Sequence, residues 1–110
     1  MTVPNADRAI IATEKLTAYL LNASHKRGGA KARLLLSVGH RSDDPWSLES
    51  DLRAQHLSRN VTRTSENPYG VVYEIEGPIE TPSGKTVRCC SVWQVDTGAD
   101  VPRFITMYPR

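Results

Sequence analysis

The sequence predicts an α+β domain in which two to three N-terminal helices pack on one face of a four-stranded antiparallel β-sheet. Three observations support this fold class. Helical periodicity and helix-capping residues are confined to the first 60 residues. From about residue 61 onward, apolar and polar residues alternate as they do in half-buried strands. The connections between the predicted strands are short, which favours an antiparallel meander.

Three helices are predicted in the first half, at residues 14–21, 30–38 and 45 to about 57. Thr13 is suited to cap the first helix, and Gly39 is suited to end the second in a left-handed conformation. Asp44 and Pro45 have the order of a capping residue followed by proline at the first helical position. The third helix is therefore the one with the clearest start.

Four strands are predicted in the second half, at residues 61–65, 71–76, 87–95 and 103–107. In the second strand, Tyr73 and Ile75 lie on one side while Glu74 and Glu76 lie on the other. If helices cover the apolar side, the two glutamates face an uncovered sheet surface. Glu74 is then a candidate general base, although solvated glutamates on a strand are the more common situation.

The composition indicates one globular domain over residues 1–110 and argues against several other classes. Hydrophobic residues make up 39% and charged residues 24% of the chain, and the net charge of +2 is too small to indicate nucleic-acid or membrane binding by itself. No apolar run approaches the roughly 20 residues that span a bilayer, and Asp7 and Arg8 interrupt any signal peptide. The adjacent Cys89 and Cys90 do not suit a disulfide scaffold, so a cytoplasmic location is expected.

Basic residues are concentrated in residues 25–41, a stretch without any acidic residue. His25 lies in a glycine-containing polar loop before a predicted helix, where a phosphate could reach backbone N–H groups, and imidazole suits acid–base chemistry. Lys31 and Arg33 fall in the first turns of that helix, where a cation opposes the helix dipole unless an anion is bound. We therefore predict that His25 and Lys31 are catalytic and that Arg27 and Arg33 contact nucleic acid. Local loop packing and a solvated basic face are the alternatives.

The last predicted strand carries three further candidates. Strict alternation places Phe104, Thr106 and Tyr108 on one face and Arg103 on the other, unless a bulge intervenes. We predict that Thr106 and Tyr108 face the site as catalytic residues. Arg103 is expected at the rim, in contact with nucleic acid. The alternative for Thr106 is that a β-branched residue simply suits a strand.

Three motifs resemble a known pattern: LLNxxHxxGxxKA at residues 20–32, SVWQV at 91–95 and PRFITMYP at 102–109. Together they resemble a family of small uncharacterised bacterial domains, some of them found in polymorphic-toxin settings. The order of elements and the Thr–x–Tyr–Pro ending resemble, more distantly, the barnase–EndoU–colicin–RelE superfamily. Members of that superfamily are mostly metal-independent ribonucleases, and many are toxins.

These resemblances imply a metal-independent ribonuclease-like or toxin-related domain that acts on RNA phosphodiesters. The expected ligand is RNA or a nucleotide, and the expected partner is a cognate immunity or antitoxin protein. No metal or cofactor is expected, since the chain lacks a Cys–x–x–Cys motif and its three histidines are far apart. The alternative is a non-catalytic module from a toxin or phage-defence locus that binds a nucleotide or a partner protein. The small net charge favours that alternative over a strong RNA binder.

Overall fold

The computed structural model describes residues 1–16, 39–41 and 44–110, and all structural statements refer to these residues. The main element of this part of the chain is an antiparallel sheet with the strand order β1-β2-β3-β4. The strands are β1 (Arg63–Asn67), β2 (Gly70–Glu80), β3 (Thr86–Asp96) and β4 (Arg103–Pro109). One complete helix, α1, precedes the sheet in the described ranges; Pro45–Asp51 is α-helical and Leu52–His56 continues it as a π-helix.

The predicted class of two to three helices packed on the sheet is wrong. The described residues are mostly sheet, and beside α1 they contain a short 3-10 turn at Ala6–Arg8. Part of the N-terminal segment is extended: Ile10 forms a parallel bridge with Arg103, and its backbone bonds to Pro102 and Phe104 at 2.9 and 2.8 Å. The predicted first helix is described only as far as Leu16. The predicted second helix, at residues 30–38, lies outside the described residues.

The predicted third helix is confirmed as α1. Pro45 occupies its first turn, where the missing N–H costs no helical hydrogen bond. Leu48 and Leu52 are both fully buried against the sheet, as their four-residue spacing predicts. In the described ranges no helix has the length and apolarity to cross a membrane.

The predicted four-stranded antiparallel arrangement is confirmed, but several strand boundaries differ by two residues or more. β2 reaches Glu80 instead of ending before Gly77, because residues 77–80 pair with residues 86–89 of β3. The Gln55 side chain of α1 also bonds both the N–H and the C=O of Glu80, at 2.7 and 3.1 Å. β1 begins at Arg63 because the Val61 N–H bonds to the Met1 carbonyl at 2.7 Å rather than to a strand.

The hydrophobic core lies between α1, the N-terminal segment and one face of the sheet. The sheet contributes Ile75, Ile79, Cys89, Trp93, Phe104 and Met107. Trp93 and Phe104 meet edge to face, with ring centroids 5.2 Å apart. This arrangement fixes which face of each strand is buried, and the opposite face of the sheet lies outside the core.

A β-bulge in β4 decides which residues of that strand share a face. Val92 pairs with Thr106 and Trp93 pairs with Phe104, so Ile105 is an extra residue on β4. Phe104 therefore enters the core while Thr106 lies on the opposite face. The strict alternation expected from the sequence is wrong here.

Candidate functional site on the sheet face opposite the helix

The sheet face opposite α1 carries a group of polar and charged side chains that we call the charged face. It comprises Arg63, Glu74, Glu76, Arg88, Cys90, Thr106, Tyr108 and Arg110. Two cross-strand rows organise it, one through Glu74 and Thr106 and the next through Glu76 and Tyr108. Its centre is a cleft of about 260 Å³ lined by Thr62, Arg63, Glu74, Glu76, Cys90 and Arg110.

Glu74 is held from both sides in this cleft. The Tyr108 hydroxyl donates a hydrogen bond of 3.0 Å to Glu74 Oε1, and the Cys90 thiol lies 3.9 Å from the same oxygen. Arg63 Nε lies 3.7 Å from Glu74 Oε2. The Glu74 side chain is only 19% exposed. Its orientation is therefore set by neighbours on three other segments of the sheet.

The phenol and the thiol beside Glu74 keep their protons at neutral pH. Hydrogen bonding to Cys90, burial and the hydrogen bond to Glu74 raise the pKa of Tyr108 to about 12. Burial raises the pKa of the Cys90 thiol, with the carboxylates of Glu74 and Glu76 acting in the same direction. Of the Tyr108 phenol, the Cys90 thiol and the Glu74 carboxylate, the carboxylate is the group suited to accept a proton.

A second carboxylate, Glu76, lies between two arginines. Arg88 Nη2 and Arg110 Nε are each 3.8 Å from its oxygens, beyond hydrogen-bonding distance. The Arg110 guanidinium also lies over the Tyr108 ring, 5.4 Å from its centroid. Arg63, Arg88 and Arg110 are 73%, 60% and 51% exposed. These guanidinium groups can therefore still donate to a ligand.

Arg103 lies on the same side of the sheet but is bonded differently. Its Nε and Nη2 donate to Asp96 at 2.7 and 3.2 Å, and Gln94 donates to Asp96 at 2.6 Å. The hydrogen bonds from Arg103 and Gln94 lower the pKa of Asp96. Arg103 pairs with Gln94, one cross-strand row beyond Thr106. As a nucleic-acid contact, Arg103 stays a prediction.

The structure brings together some of the predicted residues and leaves others undescribed. Thr106 and Tyr108 both lie on the charged face, in neighbouring rows. The predicted residues His25, Arg27, Lys31 and Arg33 lie outside the described residues. Sequence reasoning found the outward-facing glutamates but missed the arginines at positions 63, 88 and 110. The alternation of Arg88 with Cys90 was an available signal, whereas the pairing of Arg63 with Glu74 depends on a register that the sequence does not specify.

A histidine–serine pair lies on the other face of the sheet and is closed to substrate. His56 Nε2 donates to the Gly77 carbonyl at 3.1 Å, and the Ser91 hydroxyl donates to His56 Nδ1 at 2.6 Å while accepting from Trp93 Nε1 at 2.9 Å. His56 and Ser91 have no exposed surface. Burial lowers the pKa of His56, so the ring is neutral. The pair therefore fastens α1 to the sheet.

Other features of the described residues offer less chemistry. They contain no group of three or more histidine, cysteine, aspartate or glutamate side chains placed to hold a metal ion. A more open depression of about 330 Å³ is lined by Ala6, Asp7, Arg53, Leu57 and Ser58. Arg53 is already bonded there to Glu49 and to the Ala9 carbonyl, at 3.0 and 2.9 Å. The charged face is therefore the best candidate for a functional site.

Comparison with known proteins places the chain in a family. A family model described as "Domain of unknown function (DUF6883)" matches residues 2–110. The chain belongs to the DUF6883 family. This membership confirms the resemblance to a family of uncharacterised domains. No curated protein matches the chain.

The fold is also found in a solved structure. It is a chain of the "Contact-dependent growth inhibition toxin - immunity protein complex from Klebsiella pneumoniae 342". The TM-score is 0.72, the sequence identity is 21%, and the match covers 92% of this chain and 99% of that chain. At this identity the likeness is one of fold. Neither this structure nor the DUF6883 family bears the name of a ribonuclease, so the resemblance to the ribonuclease superfamily gains no support from them.

Proposed function

We propose that this DUF6883 domain is a toxin-related domain that cleaves RNA phosphodiesters at its charged face. The observation that carries the proposal is the Glu74 carboxylate, held by Tyr108 and Arg63 in a cleft flanked by further exposed arginines. The fold likeness to a chain of a toxin–immunity complex supports the toxin-related setting. Because that likeness concerns fold alone, the chemistry must be argued from the side chains.

In the proposed reaction, Glu74 takes the proton of an RNA 2′-hydroxyl. The resulting oxygen attacks the neighbouring phosphorus, and the bond from phosphorus to the 5′-oxygen breaks. A general acid then supplies a proton to that leaving oxygen. Tyr108 positions the carboxylate through its 3.0 Å hydrogen bond. His25 and Lys31, predicted from the sequence, stay the proposed acid and phosphate contact.

The arginines of the charged face provide the positive charge that this reaction needs. Attack on phosphorus increases the negative charge on the phosphate oxygens, and guanidinium groups stabilise it with directed hydrogen bonds. Arg63 is next to Glu74 and is the most exposed of the three. Thr106 lies in the same cross-strand row as Glu74 and is a proposed hydroxyl contact to the phosphate.

The test is RNA cleavage by the purified chain in EDTA, with Glu74→Gln compared with Glu66→Gln. Glu66 is an exposed carboxylate of β1 outside the cleft, so its substitution is a matched control. We expect Glu74→Gln to lower the cleavage rate by roughly 100-fold or more, the usual effect of losing a general base. The control should cleave at the wild-type rate. Equal cleavage by all three proteins, or intact RNA with the wild type in every buffer, contradicts the proposal.

A non-catalytic partner-binding module is the second candidate function. The fold likeness is to a chain from a complex of a toxin with an immunity protein, and the net charge of this chain is only +2. Measuring RNA affinity against salt concentration separates the two candidates. An RNA-binding protein loses affinity steeply as salt rises, because bound phosphates release counterions. A protein-binding module has no such RNA affinity to lose.

A further inference from the structure

We propose that Arg88, Glu76 and Arg110 form a second phosphate subsite beside the reaction centre at Glu74. This inference rests on the proposed function and defines its substrate more narrowly. The substrate is then a single RNA strand with at least two neighbouring phosphates rather than a single nucleotide.

The sheet register places the two sites next to each other. Glu74 and Glu76 are two residues apart on β2, which corresponds to about 7 Å along a strand. Arg88 lies on β3, two residues beyond Cys90, the partner of Glu76. The Arg110 N–H bonds to the Arg88 carbonyl at 2.9 Å, which brings the two arginines side by side at the end of the sheet.

The charge balance at Glu76 favours an anionic ligand. Two guanidinium groups approach one carboxylate, so the cluster has a net positive charge. Both contacts are 3.8 Å long and both arginines are more than half exposed, and ion pairs of this kind contribute only about 0 to 1 kcal/mol. A phosphate that accepts hydrogen bonds from these groups makes the stronger, charge-assisted contact. Glu76 then serves to hold the two guanidinium groups together.

Arg103 provides the contrast on the same side of the sheet. It is bonded to Asp96 by two hydrogen bonds of 2.7 and 3.2 Å, with one cation for one carboxylate. The Arg103–Asp96 pair has short hydrogen bonds and no net charge. The group of Arg88, Glu76 and Arg110 has a net positive charge, and its contacts of 3.8 Å are beyond hydrogen-bonding distance. The guanidinium groups of Arg88 and Arg110 therefore have more donors available to a ligand than that of Arg103.

A strand is favoured over a free anion because of where the subsite lies. Arg110 packs over the ring of Tyr108, which itself bonds to Glu74. The subsite at Glu76 and the reaction centre at Glu74 are therefore adjacent, two residues apart on β2. Proteins that bind single-stranded nucleic acid use a positively charged groove of this kind to follow its phosphate backbone. A strand bound at Glu74 would place its next phosphate at Arg88 and Arg110.

The first experiment measures binding of an uncleavable 2′-O-methyl RNA nonamer against salt concentration. The double variant Arg88→Ala with Arg110→Ala is compared with Arg8→Ala with Lys85→Ala, which also removes two exposed positive charges. Losing one phosphate contact should make the slope of log affinity against log salt shallower by roughly 0.7. The control should keep the wild-type slope. Equal slopes for the wild type and the Arg88/Arg110 variant overturn the inference.

The second experiment varies the number of phosphates in the substrate. On a dinucleotide with one phosphodiester, the Arg88/Arg110 variant loses only the positive charge that these residues add around the reaction centre, so its kcat/KM should fall less than on a longer substrate. On a trinucleotide with two, kcat/KM should fall by roughly tenfold more, the effect of one charge-assisted hydrogen bond. An equal loss on both substrates would place these arginines at the reaction centre and contradict a separate subsite. If instead Glu74→Gln cleaves normally while the Arg88/Arg110 variant still changes the slope of log affinity against log salt, the proposed function fails and the anion subsite stands.

Discussion

The two faces of the sheet use polar side chains in opposite ways. On the α1 face, His56, Ser91 and Trp93 make contacts of 2.6 and 2.9 Å and are fully buried. On the charged face, Arg63 and Arg88 approach carboxylates at 3.7 and 3.8 Å and remain largely exposed. Short buried contacts stabilise the fold, because their atoms have nothing else to bond. Long exposed contacts add little stability and keep donors available to a ligand.

The largest effect that tests this contrast is expected on the α1 face. Replacing His56 by alanine leaves a cavity and removes the hydrogen-bond partner of the Gly77 carbonyl and of the Ser91 hydroxyl. We therefore expect a loss of about 3 kcal/mol of unfolding free energy. Urea unfolding measures it. Ser50→Ala, at an exposed position of α1, is the control and should change stability by less than about 0.5 kcal/mol. Similar midpoints for both variants would show that His56 does not fasten the helix.

Removing one hydroxyl from the same network should have the next largest effect. In Ser91→Ala, His56 Nδ1 and Trp93 Nε1 both lose their partner while little volume is lost. We expect a cost of about 2 kcal/mol, the penalty for buried polar atoms left without hydrogen bonds. The double variant with His56→Ala should cost less than the sum of the two single variants. Additive costs would mean that the two residues do not interact.

The buried histidines predict how stability depends on pH. Burial lowers the pKa of His56 below 6.5, so the unfolded chain binds the proton more readily than the folded one. Stability is therefore complete above the unfolded value and is lost as pH falls through about 6.5. One such group gives a slope of up to about 1.4 kcal/mol per pH unit. His40 adds to this slope, since burial lowers its pKa more than Asp51 raises it.

Urea unfolding between about pH 5 and 8 measures this slope, in a range where most carboxylates stay ionised. The variant His56→Gln should have a shallower slope than the wild type, because one of the two buried histidines is gone. A flat profile for the wild type would contradict the burial of both rings.

The smallest effect on stability is expected on the charged face. Arg63 is 73% exposed and 3.7 Å from Glu74, so Arg63→Ala should change the unfolding free energy by less than about 1 kcal/mol. The same variant should lower RNA cleavage, because it removes positive charge beside the proposed base. A large loss of stability with unchanged cleavage would reverse the contrast between the two faces.

The sequence was sufficient to predict those parts of the fold in which local signals agree with the tertiary structure. Asp44 and Pro45 marked the start of α1, and alternation in β2 assigned Tyr73 and Glu74 to opposite faces. Local signals failed where a distant group sets the conformation. β2 extends to Glu80 through pairing with β3 and through the Gln55 side chain of α1, neither of which a short-range pattern reveals.

The candidate site was predictable only in part, for the same reason. The outward glutamate and Tyr108 were found by alternation along single strands. Their convergence depends on the bulge at Ile105 and on the pairing of Cys90 with Tyr108, both of which are properties of strand pairing. The burial of His56 could not be predicted from the sequence, because its partners, Gly77 and Ser91, lie far along the chain.

The central claim is that RNA binds the charged face, and NMR of the arginine side chains tests it most directly. Titrating an uncleavable 2′-O-methyl RNA into the labelled chain should shift the Nε–H resonances of Arg63, Arg88 and Arg110. The Nε–H of Arg59, which bonds to the Gln55 carbonyl at 2.8 Å beside α1, should stay in place. Shifts at Arg59 with none at the three arginines of the charged face would contradict the account.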